Sequence, residues 1–157
     1  MVTIKISQTT SKEESYLSLL PQIQELVKGE PDGIANMSNV AAALKEVFDF
    51  WWVGFYLVKD NMLVLGPFQG PVACTRISFG KGVCGTAWET GTVQIVPDVA
   101  LFPGHIACNA YSKSEIVIPV KKNGAIVAVL DIDSQFLNTF DNVDRRHLET
   151  ILSYLDF

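Results

Sequence analysis

The stretch Phe50-Trp51-Trp52-Val53-Gly54-Phe55-Tyr56-Leu57-Val58 decides how the rest of the chain is read. It is packed with aromatic and β-branched residues, which suit a pleated, buried surface better than a helix. Lys59-Asp60-Asn61 follows as a turn signal, and Met62 to Phe68 reads as the return strand of a hairpin. Successive side chains of a strand point to opposite faces. Trp52, Gly54 and Tyr56 therefore share one face, and Trp51, Val53 and Phe55 the other. One of these faces must be core. If Trp52 and Tyr56 look into a cavity, Gly54 between them leaves room for a ligand.

Upstream of this strand the pattern is helical. From Lys12 to Val27 the residues Tyr16, Leu17, Leu19, Leu20, Ile23 and Leu26 recur at near-helical spacing, with Pro21 predicting a kink or break near Leu20. Gly29 to Gly33 is a turn cluster. Gly33 to Asp49 then predicts a second amphipathic helix, with Ile34, Met37, Val40, Leu44 and Val47–Phe48 inward. Downstream, Cys74 to Phe79 alternates as a third strand, and Val83 to Thr90 reads as a short helix ended by Gly91. Thr92 to Val96 is a short strand stopped by Pro97. Asp98 to Lys113 is a long irregular connection of the kind that forms functional loops. Glu115 to Lys121 and Ala125 to Asp133 predict two more strands around the hairpin signal Lys122-Asn123-Gly124. A final helix is expected over about Asp141 to Leu155, capped by Asp141 or Asn142. The expected architecture is α+β: one domain over 1–157, helical over 1–49, with a mostly antiparallel sheet, a site loop and a C-terminal helix over 50–157.

Composition narrows the function. The chain has 157 residues, 48% of them hydrophobic and only 18% charged, so it has the means for a packed core. Its net charge of −5 argues against a nucleic-acid partner. No apolar run approaches the about 20 residues of a membrane span, and the N-terminus lacks a signal-peptide core, so the cytosol is the expected compartment. The three cysteines, Cys74, Cys84 and Cys108, are an odd number with no C-x-x-C spacing. That fits free thiols in a reducing compartment better than a disulfide framework or a zinc knuckle. With His105 and His147 the only histidines, no metal site and no metal-dependent chemistry are expected.

Three sets of residues can carry chemistry. Cys108 lies in the long loop near His105, where an imidazole favours the reactive thiolate. Cys84 falls near a helix start, where the dipole is expected to lower its pKa. Cys74 begins a strand. Each is also readable as a small buried residue. Asp131 and Asp133 flank Ile132 and point to one face, and Glu115 begins the neighbouring strand. Together they can form a negative cup for an amine, or simply be solvated strand ends. Paired carboxylates on one face repel unless something uses them. Trp52 and Tyr56 are the third set, with an ordinary aromatic core as the competing reading.

The motifs carry more than these residues alone. Gly66-Pro-Phe-Gln-Gly, Ala73-Cys-Thr-Arg-Ile, Phe79-Gly-Lys-Gly-Val-Cys-Gly-Thr-Ala, Val96-Pro-Asp-Val, Phe102-Pro-Gly-His-Ile-Ala-Cys, Ser114-Glu-Ile-Val-Ile-Pro and Val129-Leu-Asp-Ile-Asp-Ser resemble the free methionine-R-sulfoxide reductases. These are stand-alone GAF-domain enzymes, and the resemblance runs from about Phe50 to the C-terminus. It implies a GAF-like fold and reduction of the R-sulfoxide of free methionine, not of methionine within proteins. It also implies no cofactor, thioredoxin as the external reductant, and a homodimer. Cys108 matches the attacking cysteine, Cys74 the resolving partner and Cys84 a possible second one. Trp52, Tyr56, Glu115, Asp131 and Asp133 match the substrate cup, with Asp133 or Glu115 as the expected general acid. Two positions depart from the family pattern: Asn109 stands where an acid is expected, and Ala100 where a histidine is frequent. The rival expectations are a non-catalytic GAF sensor for a small molecule and a redox sensor acting on a partner protein. An acidic cup is a poor site for an anionic phosphate, which disfavours a nucleotide sensor.

Overall fold

The computed structural model describes residues 3–5, 11–106, 108 and 110–157. Helices α1 (Lys12–Val27) and α2 (Gly33–Phe48) lead into strands β1 (Trp52–Lys59), β2 (Met62–Gln69) and β3 (Arg76–Ser78). Helix α3 (Gly82–Thr90), β4 (Gln94–Val96), a short 3-10 turn (Val99–Leu101), β5 (Ser114–Lys122), β6 (Ala125–Ser134) and α4 (Asn142–Leu152) follow. The six strands form one sheet in the order β3-β2-β1-β6-β5-β4, and every pairing is antiparallel.

Period-two alternation places two different cores on the two faces. Val53 and Phe55 of β1, Ile116 and Ile118 of β5, and Leu130 and Ile132 of β6 pack against Tyr16, Leu19 and Ile23 of α1, Val40 and Leu44 of α2, and Leu148 and Ile151 of α4. The alternate residues Trp52, Tyr56, Val117 and Val129 meet Val83, Cys84 and Ala87 of α3, together with Val96 and Val99. Both faces of β1 are thus core, where the sequence required only one. At α3 the approach is close enough that a Cβ on Gly85 would lie 2.5 Å from the Ser78 carbonyl oxygen. This helix ends where Gly91 adopts φ 62° and its N–H donates to the Ala87 carbonyl.

Several expected boundaries move. Helix α1 runs through Pro21 without the expected break. Pro21 lies on the exposed side with Leu17, whose carbonyl is the one that loses its donor, so the unpaired acceptor faces solvent. The third strand shrinks from Cys74–Phe79 to Arg76–Ser78. Cys74 is held out of the ladder, because its carbonyl accepts from the Tyr56 hydroxyl and its sulfur is bonded elsewhere. The β1–β2 register shifts between Gly54 and Tyr56, opposite Gly66 and Pro67. A bulge there accommodates a proline that cannot donate to a ladder. Helix α4 stops at Leu152, with Asp141 as its N-cap and a reciprocal capping box to Asp144. No helix of the described residues is long and apolar enough to cross a membrane.

The helical layer is pinned at one end by Asp144, which is 1% exposed. Its carboxylate accepts from Lys12 Nζ at 2.5 Å, from the Tyr16 hydroxyl at 2.9 Å and from the Asp141 backbone N–H at 2.8 Å. Removing one partner of a buried, hydrogen-bonded charge strands the others. We expect Asp144→Ala to lower unfolding stability by about 3 kcal/mol, read as a shift of the urea midpoint with unchanged slope. An unmoved midpoint would show that this network is dispensable.

Candidate active site

The site lies on the face of the sheet covered by α3, with His105, Ile106, Cys108 and Ser112 beside it. Register builds it. Across β5–β6, Glu115 sits directly opposite Asp133 and Val117 opposite Asp131, while Trp52 and Gly54 of β1 oppose Asp133 and Asp131 from the other side. Side-chain alternation then sends Glu115, Asp131, Asp133, Trp52 and Tyr56 into one cavity. Cys84, Cys108, His105, Ser112 and Ile106 are also in its wall, with Lys81 among the remaining lining residues. All eight residues named from the sequence gather here; seven line the cavity, and Cys74 joins it through its bond to Cys108.

The cavity holds three carboxyl groups with little solvent. Glu115 and Asp131 are each 6% exposed, while Asp133 is partly open. Burial, then the charges of Asp131 and Asp133, push the Glu115 carboxyl well above the usual range. Asp131 is raised by burial and then by the charge of Asp133, although hydrogen bonds with Cys84 and Glu115 oppose the shift. Asp133 is raised by burial to about 6, opposed by a hydrogen bond donated by the Ser112 hydroxyl. One carboxylate oxygen, Asp131 Oδ1, is buried with no hydrogen-bond partner. A stranded acceptor of this kind costs about 1–3 kcal/mol, which makes the cup receptive to a donor.

The sulfur atoms are divided between two states. Cys74 and Cys108 form a disulfide with Cα atoms 5.3 Å apart, across 34 positions of sequence. Cys84 remains a free, buried thiol 4.0 Å from Glu115 Oε1. Its pKa is raised, not lowered as its place near the helix start suggested. Burial comes first, then the charges of Asp131 and Glu115, and together these outweigh the α3 dipole. His105 stands beside the acids in the same wall. Burial lowers its pKa, and its Nε2 lies 4.0 Å from Glu115 Oε2.

Trp52 and Tyr56 do more than wall the cavity. The Trp52 indole N–H donates to the Pro71 carbonyl at 3.1 Å and the Tyr56 hydroxyl to the Cys74 carbonyl at 3.0 Å. Their rings stack at 5.9 Å, and Phe68 stacks on Trp52 at 5.4 Å. The pair thereby fixes the segment that carries Cys74. Gly54 does not open space for a ligand. A Cβ there would lie 2.4 Å from Phe68 Cβ and 2.6 Å from the Trp52 ring, so the missing side chain makes room for the indole. Ser112 escaped the sequence reading because a serine in an irregular loop carries no periodic signal. Ala100 is exposed on the 3-10 turn and outside the cavity wall. Asn109 lies outside the described residues.

A disulfide and a buried thiol set against a buried acidic cup, on an antiparallel sheet flanked by helices, mark this as a GAF-type domain with a candidate ligand pocket. A GAF domain model matches residues 37–157. The chain is 62% identical over 147 residues to GAF domain-containing protein A of Dictyostelium discoideum, covering 93% of both chains. It is 45% identical over 147 residues to the free methionine-R-sulfoxide reductase of Escherichia coli, covering 93% of this chain and 89% of that one. Free methionine-R-sulfoxide reductase from Neisseria meningitidis, solved with its substrate, superposes with a TM-score of 0.95 at 47% identity, covering 98% of this chain and 93% of that one. The chain belongs to the free methionine-R-sulfoxide reductase family of GAF-domain proteins.

The raised carboxyl groups carry a stability signature. A carboxyl whose folded pKa exceeds its unfolded value binds its proton more tightly in the folded state. Its favourable contribution is complete below the unfolded pKa, near 4, and is lost as pH rises toward the folded value of about 6 for Asp133. Asp133→Asn keeps an acceptor for Ser112 but removes the charge. Above pH 7 it should stabilise the protein by about 1–2 kcal/mol, allowing for partial solvent screening. The gain should shrink as pH falls below 6, which paired thermal melts from pH 4.5 to 8 would register. A destabilised variant at pH 8 would contradict the assignment of repulsion to this cup.

Proposed function

We propose that this protein reduces free L-methionine-R-sulfoxide to methionine, with Cys108 as nucleophile, Cys74 as resolving cysteine and thioredoxin as external reductant. The observation that carries the reading is the Cys74–Cys108 disulfide at the rim of a cup holding Glu115, Asp131 and Asp133. Family membership, with a relative solved in complex with its substrate, supports the same substrate class.

In this reading the reduced Cys108 attacks the sulfoxide sulfur as a thiolate. The sulfoxide oxygen takes a proton from Asp133 or Glu115, both of which the cup holds above the usual carboxylate range. The oxygen passes to Cys108, giving a sulfenic acid, and methionine leaves with its sulfur reduced. The Cys74 thiol then condenses with the sulfenic acid, forming the disulfide and releasing water. An external dithiol reduces that bond by exchange and is itself oxidised. No cofactor is required for this sequence. The substrate's α-ammonium supplies the donor that Asp131 Oδ1 lacks, while Trp52 and Tyr56 pack its apolar end. A free amino acid brings that ammonium, whereas a residue within a peptide does not, and this sets the preference.

Cys84 has a supporting place in this scheme. Its raised pKa keeps it a thiol, so it adds little negative charge to the cup. The reading therefore assigns resolution to Cys74, which is already bonded to Cys108.

The test is NADPH consumption in a thioredoxin-coupled assay with free R-sulfoxide, free S-sulfoxide and a peptide-bound sulfoxide. Turnover is expected for the free R form alone and should be lost in Cys108→Ser. Asp133→Asn should lower kcat by about 100-fold or more, the usual scale of a lost proton donor. Turnover that survives Cys108→Ser would overturn the mechanism, and no turnover of any sulfoxide would return the fold to a ligand-sensing role.

A further inference from the structure

We propose that Cys84, Glu115 and Asp131 form a binding site for a thiophilic divalent cation of the Zn2+ class, which inhibits the protein by occupying the cup. The sulfur and one carboxylate oxygen from each acid lie within 4.8 Å of one another, and all three residues are buried. Cys84 Sγ stands 4.0 Å from Glu115 Oε1. A single ion, whose bonds to sulfur and oxygen are about 2.3 and 2.0–2.2 Å, would draw these donors somewhat closer together.

A second observation points to a ligand. Asp131 Oδ1 is buried and unpartnered, although its neighbours in the cup are within reach of one another. His105 Nε2, 4.0 Å from Glu115 Oε2, offers a fourth donor from the same wall. A set of one sulfur, one nitrogen and carboxylate oxygens matches tetrahedral Zn2+ and excludes Mg2+ or Ca2+, which take oxygen ligands. An ammonium group would need only the carboxylates. The thiol is the feature that turns an amine cup into a metal site.

Binding is written without any change of oxidation state. The Cys84 S–H bond and any O–H bond of the ligating Glu115 and Asp131 carboxyls break, sulfur–metal and oxygen–metal bonds form, and the protons leave to solvent. The chain has three cysteines, of which Cys74 and Cys108 are bonded to each other. Cys84 is then the sole thiol of the disulfide form, and the site exists without reduction. The consequence for activity rests on the proposed function, because ion and substrate ammonium would claim the same oxygens of Glu115 and Asp131.

Cd2+ is the probe, since its bond to a thiolate produces an ultraviolet charge-transfer band. The full chain in its disulfide form should show that band saturating at one equivalent, with release to the medium of the Cys84 proton and of any proton held by Glu115 and Asp131. Zn2+ should displace it. Cys84→Ser should abolish the band, and Asp131→Asn, which keeps the thiol, should weaken Cd2+ by about tenfold or more. Absence of the band in the parent protein, or unchanged affinity in a folded Asp131→Asn, would overturn the site; the second variant serves if Cys84→Ser does not fold. Free methionine added to the Cd2+ form should lower the apparent affinity. If the band forms but methionine leaves it unmoved, the metal site stands and the placement of the ammonium falls.

Discussion

Three carboxyl groups held against one another in a cavity with little water constrain everything else in this molecule. Like charges at such range cannot all ionise, so the site must hold protons, admit a cation, or do both in turn. The sheet imposes the arrangement. Glu115 opposite Asp133, and Asp131 two residues before Asp133 on the same face, follow from the β5–β6 register. The α-helical layer on the other face keeps that register, because a one-residue slip would exchange the acids with Ile116, Leu130 and Ile132.

Redox chemistry is attached to this cup by two aromatic residues. Trp52 and Tyr56 grow from β1 beside the acids, and their polar ends bind the carbonyls of Pro71 and Cys74. The resolving cysteine of the proposed mechanism is therefore positioned by the residues proposed to pack the substrate. Cys84 belongs to the cup by contrast. Its thiol is surrounded by the acids and kept protonated by burial and their charge, so local helix chemistry is overruled by tertiary packing.

Much of this was legible in the sequence, for a physical reason. Alternation along Phe50–Val58 and Ala125–Asp133 fixes which side chains share a face, so Trp52 with Tyr56 and Asp131 with Asp133 could be paired before any fold was known. The Asp60-Asn61 and Asn123-Gly124 turns were equally plain, and the first three of these residues and Gly124 adopt the positive φ such hairpins need. What stayed hidden depends on contacts between distant segments. The length of β3 is set by the tether on Cys74, the state of Cys84 by acids on other strands, and the use of Gly54 by the ring of Trp52 folding over it. Pro21 shows the limit of a local rule, since its helix continues where the lost hydrogen bond falls on the exposed side.

The central claim is that the cup stores protons at neutral pH. Carboxyl 13C resonances of aspartate- and glutamate-labelled protein in the disulfide form, followed from pH 4 to 9, address it directly. The account predicts that at least one carboxyl, absent from the spectrum of Glu115→Gln or Asp133→Asn, remains protonated at pH 6 or above and loses its proton when methionine is added. Three carboxyls that all ionise in the ordinary range near pH 4 would contradict it.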